Sequence, residues 1–296
     1  MSVALAGGRL FKPRPNYRRR RNLGEAAALA FSVLVLIWTL TPIYNIVAVS
    51  LEPHGDVFTN DVWPAKPSLE SFWIVVTQGY WYLEYFWSQF ANSLYIGVAT
   101  VFFTLAIGSL ASFVIGRMRI RHGWMVSNAA LLTYVIPASF LAIPFYRIMG
   151  FYGLSNNLWS VIAAEVTFAT PYAIFIFQQY AVSIPIELDE AARIDGASPL
   201  QVYFKIYLPL MAPALVAVGT YALLLAWNEY LYQFLLLSSK KSMTVPVALA
   251  QFLNSDEAPW NYMMATAIVY ALPPVAIYYA FRHRMTAGLT MGGVKG

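Results

Sequence analysis

Residues 185–209 read PIELDEAARIDGASPLQVYFKIYLP. Glu187, Asp189, Glu190, Arg193, Asp195 and Lys205 fall within a few turns of one another, and uncharged hydrophobic segments flank them on both sides. No other polar interruption in the second half of the chain is as long. Charged side chains are expensive at membrane depth. A polar helical insert between two membrane segments therefore has to make its contacts outside the bilayer, and its surroundings must be spans.

The insert carries its own punctuation. Pro185 suits a helix start, where its missing N–H costs nothing. Glu187, Asp189 and Glu190 then place negative charge at the positive end of the helix dipole. Leu188, Ala191 and Ala192 form a narrow face of small side chains that lets another backbone approach. Gly196 has the character of a residue that ends a helix in the left-handed region. Ser198-Pro199-Leu200-Gln201 starts another helix, with Ser198 as N-cap, Pro199 at the first helical position and Gln201 completing a capping box. That second helix is expected to run through Val202, Phe204, Ile206 and Tyr207 to Leu208-Pro209. Two capped helices hinged at a glycine are more than a plain connector needs.

Working outward, 59% of the 296 residues are hydrophobic and 11% charged. Ordinary soluble domains carry about a quarter charged residues, so the composition is that of a membrane protein. The net charge of +5 does not imply nucleic acid, because the basic residues sit in tails and segment ends and not on one face. With no cysteine, disulfides, thiolate nucleophiles and cysteine metal sites are excluded. His54, His122 and His283 are far apart and read as isolated surface or interfacial residues, so no metal site is expected. The chain has no G-x-x-x-x-G-K-[ST], hence no nucleotide-binding P-loop and no ATPase activity of its own.

The pattern predicts an all-α polytopic membrane protein with six transmembrane helices. After a basic tail (1–25), residues 26–51 are uncharged and long enough to span as an uncleaved first helix. Residues 52–84 form a loop rich in Trp and Tyr, with one helix capped by Ser68. Such rings favour the membrane interface, and an aromatic platform for sugar rings is the other reading. Further spans are expected at 85–116, 122–146, 158–183, 210–237 and 261–281, joined by a tight turn at 150–157, the polar insert (184–209) and a second external loop (238–260). A basic, glycine-rich tail (282–296) is not expected to form a long helix. Prolines within several spans favour helices that bend and move, with a pathway supplying partners for the freed backbone groups.

Six spans put both termini on one side. The N-tail holds seven Lys and Arg, the 117–121 loop three, the insert two and the C-tail three, fifteen of the 19 in all. Lys66, Arg147, Lys240 and Lys241 lie on the other side. The positive-inside rule then puts both termini and the insert in the cytoplasm.

Glu190-Ala191-Ala192, three residues, Gly196, nine residues and then Ile206-x-Leu208-Pro209 resembles the EAA loop of permease subunits in bacterial binding-protein-dependent ABC importers. Ala226-Trp227-Asn228-Glu229, Asn92-Ser93 and the tail from Ala287 to Gly296 are similar to carbohydrate-type permeases, in particular the MalG-like subunit of maltose importers. The long basic tail and the aromatic loop are less typical. The resemblance implies one permease domain (85–281) that pairs with a second permease subunit as a heterodimer. It also implies two copies of an ABC ATPase subunit, which bind the ATP and magnesium, and an extracytoplasmic solute-binding protein that delivers the sugar, all at the bacterial cytoplasmic membrane. Carried onto this chain, Glu190 and Gly196 are the central coupling residues, Ala191 and Ala192 the close-packed face, and Asp195, Ile206, Leu208 and Pro209 the rest of the motif.

The pathway itself is less sharply marked. A carboxylate at membrane depth signals a pathway or a paired charge. Glu165, with Tyr172 on the same helix, is the pathway candidate, while Trp227, Asn228 and Glu229 suit a gate or helix packing, and Asn92 opens the second span. An internal hydrogen bond explains either carboxylate equally well. Two other classes compete with the importer. An intramembrane enzyme lacks paired nucleophile and base within the spans. A proton-coupled secondary transporter would use Glu165 and Glu229 as its relay. The cargo stays open between maltodextrins, other neutral oligosaccharides, acidic uronate oligosaccharides of the alginate type, and glycerol phosphates.

Overall fold

The computed structural model describes residues 17–53, 62–118, 120–254 and 259–290. All regular structure among them is helical. In chain order the helices are α1 (Tyr17–Ser50), α2 (Glu70–Thr77), α3 (Phe86–Arg117), α4 (Gly123–Leu132), α5 (Ala138–Phe151), α6 (Leu158–Ala181), α7 (Glu187–Ile194), α8 (Pro199–Val202), α9 (Leu208–Leu210), α10 (Ala212–Asn228), α11 (Leu231–Leu236), α12 (Val245–Gln251) and α13 (Trp260–Thr290). Among the described residues, four helical segments are long and apolar enough to cross a membrane: Gly24–Ser50, Trp81–Arg117, Leu158–Ala181 and Trp260–Arg282. Two bent pairs raise the number to six if each counts as one span.

Helix α3 packs on α6 and α10, α10 packs on α13, and α13 carries α1 and α2. The α3–α6 contact is close because Gly108 has no side chain. A Cβ there would meet the Ala173 Cβ at 2.8 Å and the Phe177 ring at 3.3 Å. In a bilayer helices gain little from burying apolar surface against each other, so small residues that let backbones approach carry the packing. Residues 24–45 of α1 are exposed, so this helix stands at the edge of the bundle.

Several sequence expectations are corrected. Residues 122–146 are not one continuous helix. Helix α4 gives way to a 3₁₀ turn (Thr133–Val135), and α5 leaves at 101° to it. The break falls at Pro137. Ile136 before it is extended (φ −89°, ψ 119°), as a residue preceding proline prefers. Pro144 stays inside α5. Span 210–237 is also interrupted, since α10 ends at Asn228 and α11 starts anew at Leu231. The helix of the insert turns into α10 through a 77° bend at Met211, a buried residue with φ −79° and ψ 0°. Helix α13 continues to Thr290, well into the tail expected to be irregular, and α1 begins at Tyr17 inside the basic N-tail. The second loop, 238–260, contains α12. The N-cap of α2 is Leu69 and not Ser68, which lies one residue earlier with its hydroxyl accepting the Glu70 N–H at 3.1 Å. His54, Arg119 and the tail residues 291–296 lie outside the described residues.

Candidate functional site: a latched polar insert and an aromatic cavity

The insert folds as its local signals direct. The Gly196 N–H donates to Arg193 O at 3.0 Å and the Ala197 N–H to Ala192 O at 2.9 Å. These two bonds make the Schellman closure of α7, with Gly196 at φ +85°. Two residues on, the Ser198 hydroxyl accepts the Gln201 N–H at 3.3 Å, and the Gln201 side chain accepts the Ser198 N–H at 2.7 Å. Pro185 lies just outside α7, whose N-cap is Ile186.

Beyond α8 the helix widens into a π turn, Tyr203–Tyr207. Such an extra residue per turn re-aims side chains, and here it turns both tyrosines toward α3. The Tyr203 hydroxyl hydrogen-bonds that of Ser109 at 2.7 Å, and the Tyr207 hydroxyl that of Ser112 at 3.0 Å. Burial raises the Tyr207 phenol above its usual range, with Ser112 and Arg117 pulling the other way, so it stays a neutral partner.

One charge of α7 faces inward. Asp189 is 1% exposed, and Arg117, the last residue of α3, is 6% exposed. The Arg117 Nε lies 3.5 Å from the Asp189 Oδ2. The same guanidinium donates to Ala181 O at 3.2 Å and Ile184 O at 2.9 Å, and lies over the Tyr207 ring at 5.9 Å. Arg117 thus joins the end of α3, the end of α6, the start of α7 and the π turn at one point. Sequence reasoning assigned Arg117 only to a loop charge and Asp189 only to a helix-dipole role. Nothing local distinguishes Asp189 from the acidic residues beside it.

The opposite side of α7 is bare. Glu190, Ala191, Asp195 and Gly196 are exposed, and so are the apolar Leu188 and, at 87%, Ile194. Leu200 and Phe204 add to the exposed apolar set on the following helix. Ala192, Ile206 and Leu208 are half-buried and pack inward against the cluster of Phe177, Tyr203 and Tyr207, and Pro209 is exposed.

A second feature lies deeper. Residues of the α4–α5 break, α6, α10 and α11 enclose a cavity of about 270 Å³. Glu165, 1% exposed, and Glu229 both line it, with Tyr134, Phe168, Tyr221 and Tyr232 as its aromatic wall. Glu229 is spent on structure, since its two oxygens accept the Tyr232 and Gln233 N–H groups at 2.9 and 3.0 Å and so cap α11. Tyr172 stands behind the wall, its ring 4.2 Å from that of Tyr221.

The remaining pathway candidates lie elsewhere. Trp227 is core, stacked on Tyr270 at 4.6 Å. Asn228 donates to Leu224 O within its own helix. The Asn92 amide ties α3 to the second loop through Lys241 O and Met243 O, both at 2.9 Å. The wall tyrosines were missed from the sequence because Tyr134, Tyr221 and Tyr232 come from three separate elements that only the fold brings together.

Comparison with known proteins places this architecture. The family described as "binding-protein-dependent transport system inner membrane component" matches residues 106–289, which hold α6, the insert and the cavity wall from α10 and α11. The chain is 32% identical over 265 residues to the trehalose transport system permease protein SugB of Mycobacterium tuberculosis, covering 89% of this chain and 95% of that protein. It is 30% identical over 278 residues to the arabinooligosaccharides transport system permease protein AraQ of Halalkalibacterium halodurans, covering 88% and 98%. In fold it is similar to a chain of a bacterial ABC transporter involved in the import of the acidic polysaccharide alginate, with a TM-score of 0.76 at 22% identity over 93% of this chain and 99% of that one. On these grounds the chain belongs to the family of binding-protein-dependent transport system inner membrane components.

Proposed function

We propose that this chain is the permease subunit of a carbohydrate ABC importer in a bacterial cytoplasmic membrane. It crosses the bilayer six times, α4 and α5 together counting as one span and α10 as another, with both termini and the insert on the cytoplasmic side. The reading is supported by family membership and by relatives whose names specify trehalose and arabinooligosaccharide transport. The partners are a second permease subunit, two ATPase subunits that bind ATP and magnesium, and a solute-binding protein that presents the sugar.

The observation that carries the mechanism is the two-sidedness of α7. Its outer side offers Leu188, Ala191 and Ile194 to a partner, while Asp189 on its inner side is latched to Arg117. An ATPase that moves α7 on closing therefore pulls directly on the ends of α3 and α6. A ligand can shift the permease only by its differential interaction with two states, and the α7 contact supplies that difference. Glu190 and Gly196 shape the contact, and Glu165 faces the cargo route.

Two measurements test this on the reconstituted complex. Glu190→Lys should abolish sugar-stimulated ATP hydrolysis or complex assembly, and survival of both refutes the coupling role. Uptake should stop with a nonhydrolysable nucleotide and ignore a proton gradient. The reverse result would make the chain a secondary carrier.

A further inference from the structure

The aromatic cavity has a chemical bias that bears on the cargo. Among its lining residues there is no Lys, Arg or His, while two are carboxylates. Most of its polar groups are committed. The Tyr134 hydroxyl donates to Phe168 O at 2.7 Å, the Tyr232 hydroxyl to Ala138 O at 2.6 Å, and Glu229 caps α11. Glu165 differs. It is buried, lines the cavity, and its Oε1 has no hydrogen-bond partner. A buried polar atom without a partner is a standing cost that a bound group can relieve. The group that relieves a carboxylate oxygen is a donor.

A donor on a body that packs against aromatic rings describes a saccharide, with hydroxyls at its edge and C–H groups on its faces. Ligand sites of this kind are mostly apolar, with a few placed polar groups that fix orientation. An anionic sugar would bury its own carboxylate in a wall that holds no cation, and a buried charge without a partner is strongly disfavoured.

We propose that this cavity is a sugar subsite selective for neutral saccharides over uronates, with Glu165 as the residue that meets a sugar hydroxyl. The assignment rests on the permease reading above. It departs from the cargo named for the alginate transporter whose fold this chain shares, a likeness that carries the fold and not the substrate.

The test removes the solute-binding protein, whose own selectivity would mask the cavity's. The permease–ATPase complex in nanodiscs is titrated with trehalose, maltotriose, N,N′-diacetylchitobiose and trimannuronate, and binding is read by saturation-transfer NMR. At least one neutral sugar should bind about tenfold more tightly than trimannuronate, as the burial of an unpaired charge predicts. Glu165→Leu should weaken the neutral sugar about tenfold, the loss expected for one buried hydrogen bond. Glu165→Gln keeps an acceptor and brings no cation, so it should retain both the neutral sugar and the bias against trimannuronate. If Glu165→Leu fails to assemble, the Glu165→Gln result decides.

Trimannuronate binding as well as the neutral sugars, a neutral sugar unweakened by Glu165→Leu or lost in Glu165→Gln, or no binding by any of the four overturns the assignment. ATP hydrolysis is read in the same samples. A complex that assembles and hydrolyses ATP without sugar preference refutes the cavity alone, whereas failure to assemble with any ATPase refutes the permease reading beneath it.

Discussion

Removing the Asp189 carboxylate should uncouple the insert from the bundle. The Arg117 guanidinium is 6% exposed and 3.5 Å from Asp189, so water cannot replace the lost partner. At that separation and an effective dielectric of 20, the attraction is about 5 kcal/mol, which sets an upper limit. Breaking a buried pair by deleting one member costs about 3–5 kcal/mol. Asp189→Ala should therefore lower the stability of the α7 contact by several kcal/mol, enough to detach the helix locally.

The double variant Arg117→Met with Asp189→Leu removes both charges and should recover part of the loss. Recovery will be incomplete, because Ala181 O and Ile184 O lose their donor, at about 1–3 kcal/mol for each carbonyl left unsatisfied. The assay is a double-mutant cycle on the purified complex, reading melting temperature and the ratio of sugar-stimulated to basal ATP hydrolysis. If the single and double variants are additive to within about 0.5 kcal/mol, the two residues are independent and the latch argument fails. If Asp189→Asn keeps full stimulation, the charge is not what transmits the motion.

Other sites give sharper signs. Gly196 has φ +85° and no atom within 4 Å of where a Cβ would stand, so Gly196→Ala should cost about 1–2 kcal/mol through backbone conformation alone. Hydrogen exchange over α7 should accelerate accordingly, and Gly196→Asn, which tolerates that region better, should accelerate it less. Gly108→Val forces a branched side chain against Ala173 and Phe177, and a melting temperature matching the unmodified complex would contradict the close α3–α6 packing, since overpacking of this kind costs about 1–3 kcal/mol. Ile194→Asp changes a residue that is 87% exposed, so the chain's own stability should move by less than about 0.5 kcal/mol. The ATPase should nevertheless no longer co-purify with it.

What the sequence disclosed about this molecule depended on the range of each interaction. The caps around Gly196 and Ser198 are settled by atoms within five residues, and they were legible from residue types alone. The latch was not, because Asp189 is one of several acids in a row and only its helical phase turns it toward Arg117 on a distant helix. The helix break was half legible. Pro137 and Pro144 lie in one apolar run and look alike there, yet only Pro137 ends a helix, because its preceding residue is extended whereas Pro144 sits inside α5. The C-terminal tail misled for the opposite reason. Its glycines suggested an early stop, yet the first of them, Gly288, comes after a run of tolerable helix formers from Arg282 to Ala287, and α13 runs past it to Thr290. Glu165 and Glu229 show the same limit in chemistry. Both were visible as carboxylates in apolar segments, but the structure gives Glu229 to the α11 N-terminus and leaves an oxygen of Glu165 without a partner in a tyrosine-walled cavity. Whether a buried acid is structural or faces cargo is decided by which backbone N–H groups happen to stand beside it, and those arrive only with the fold.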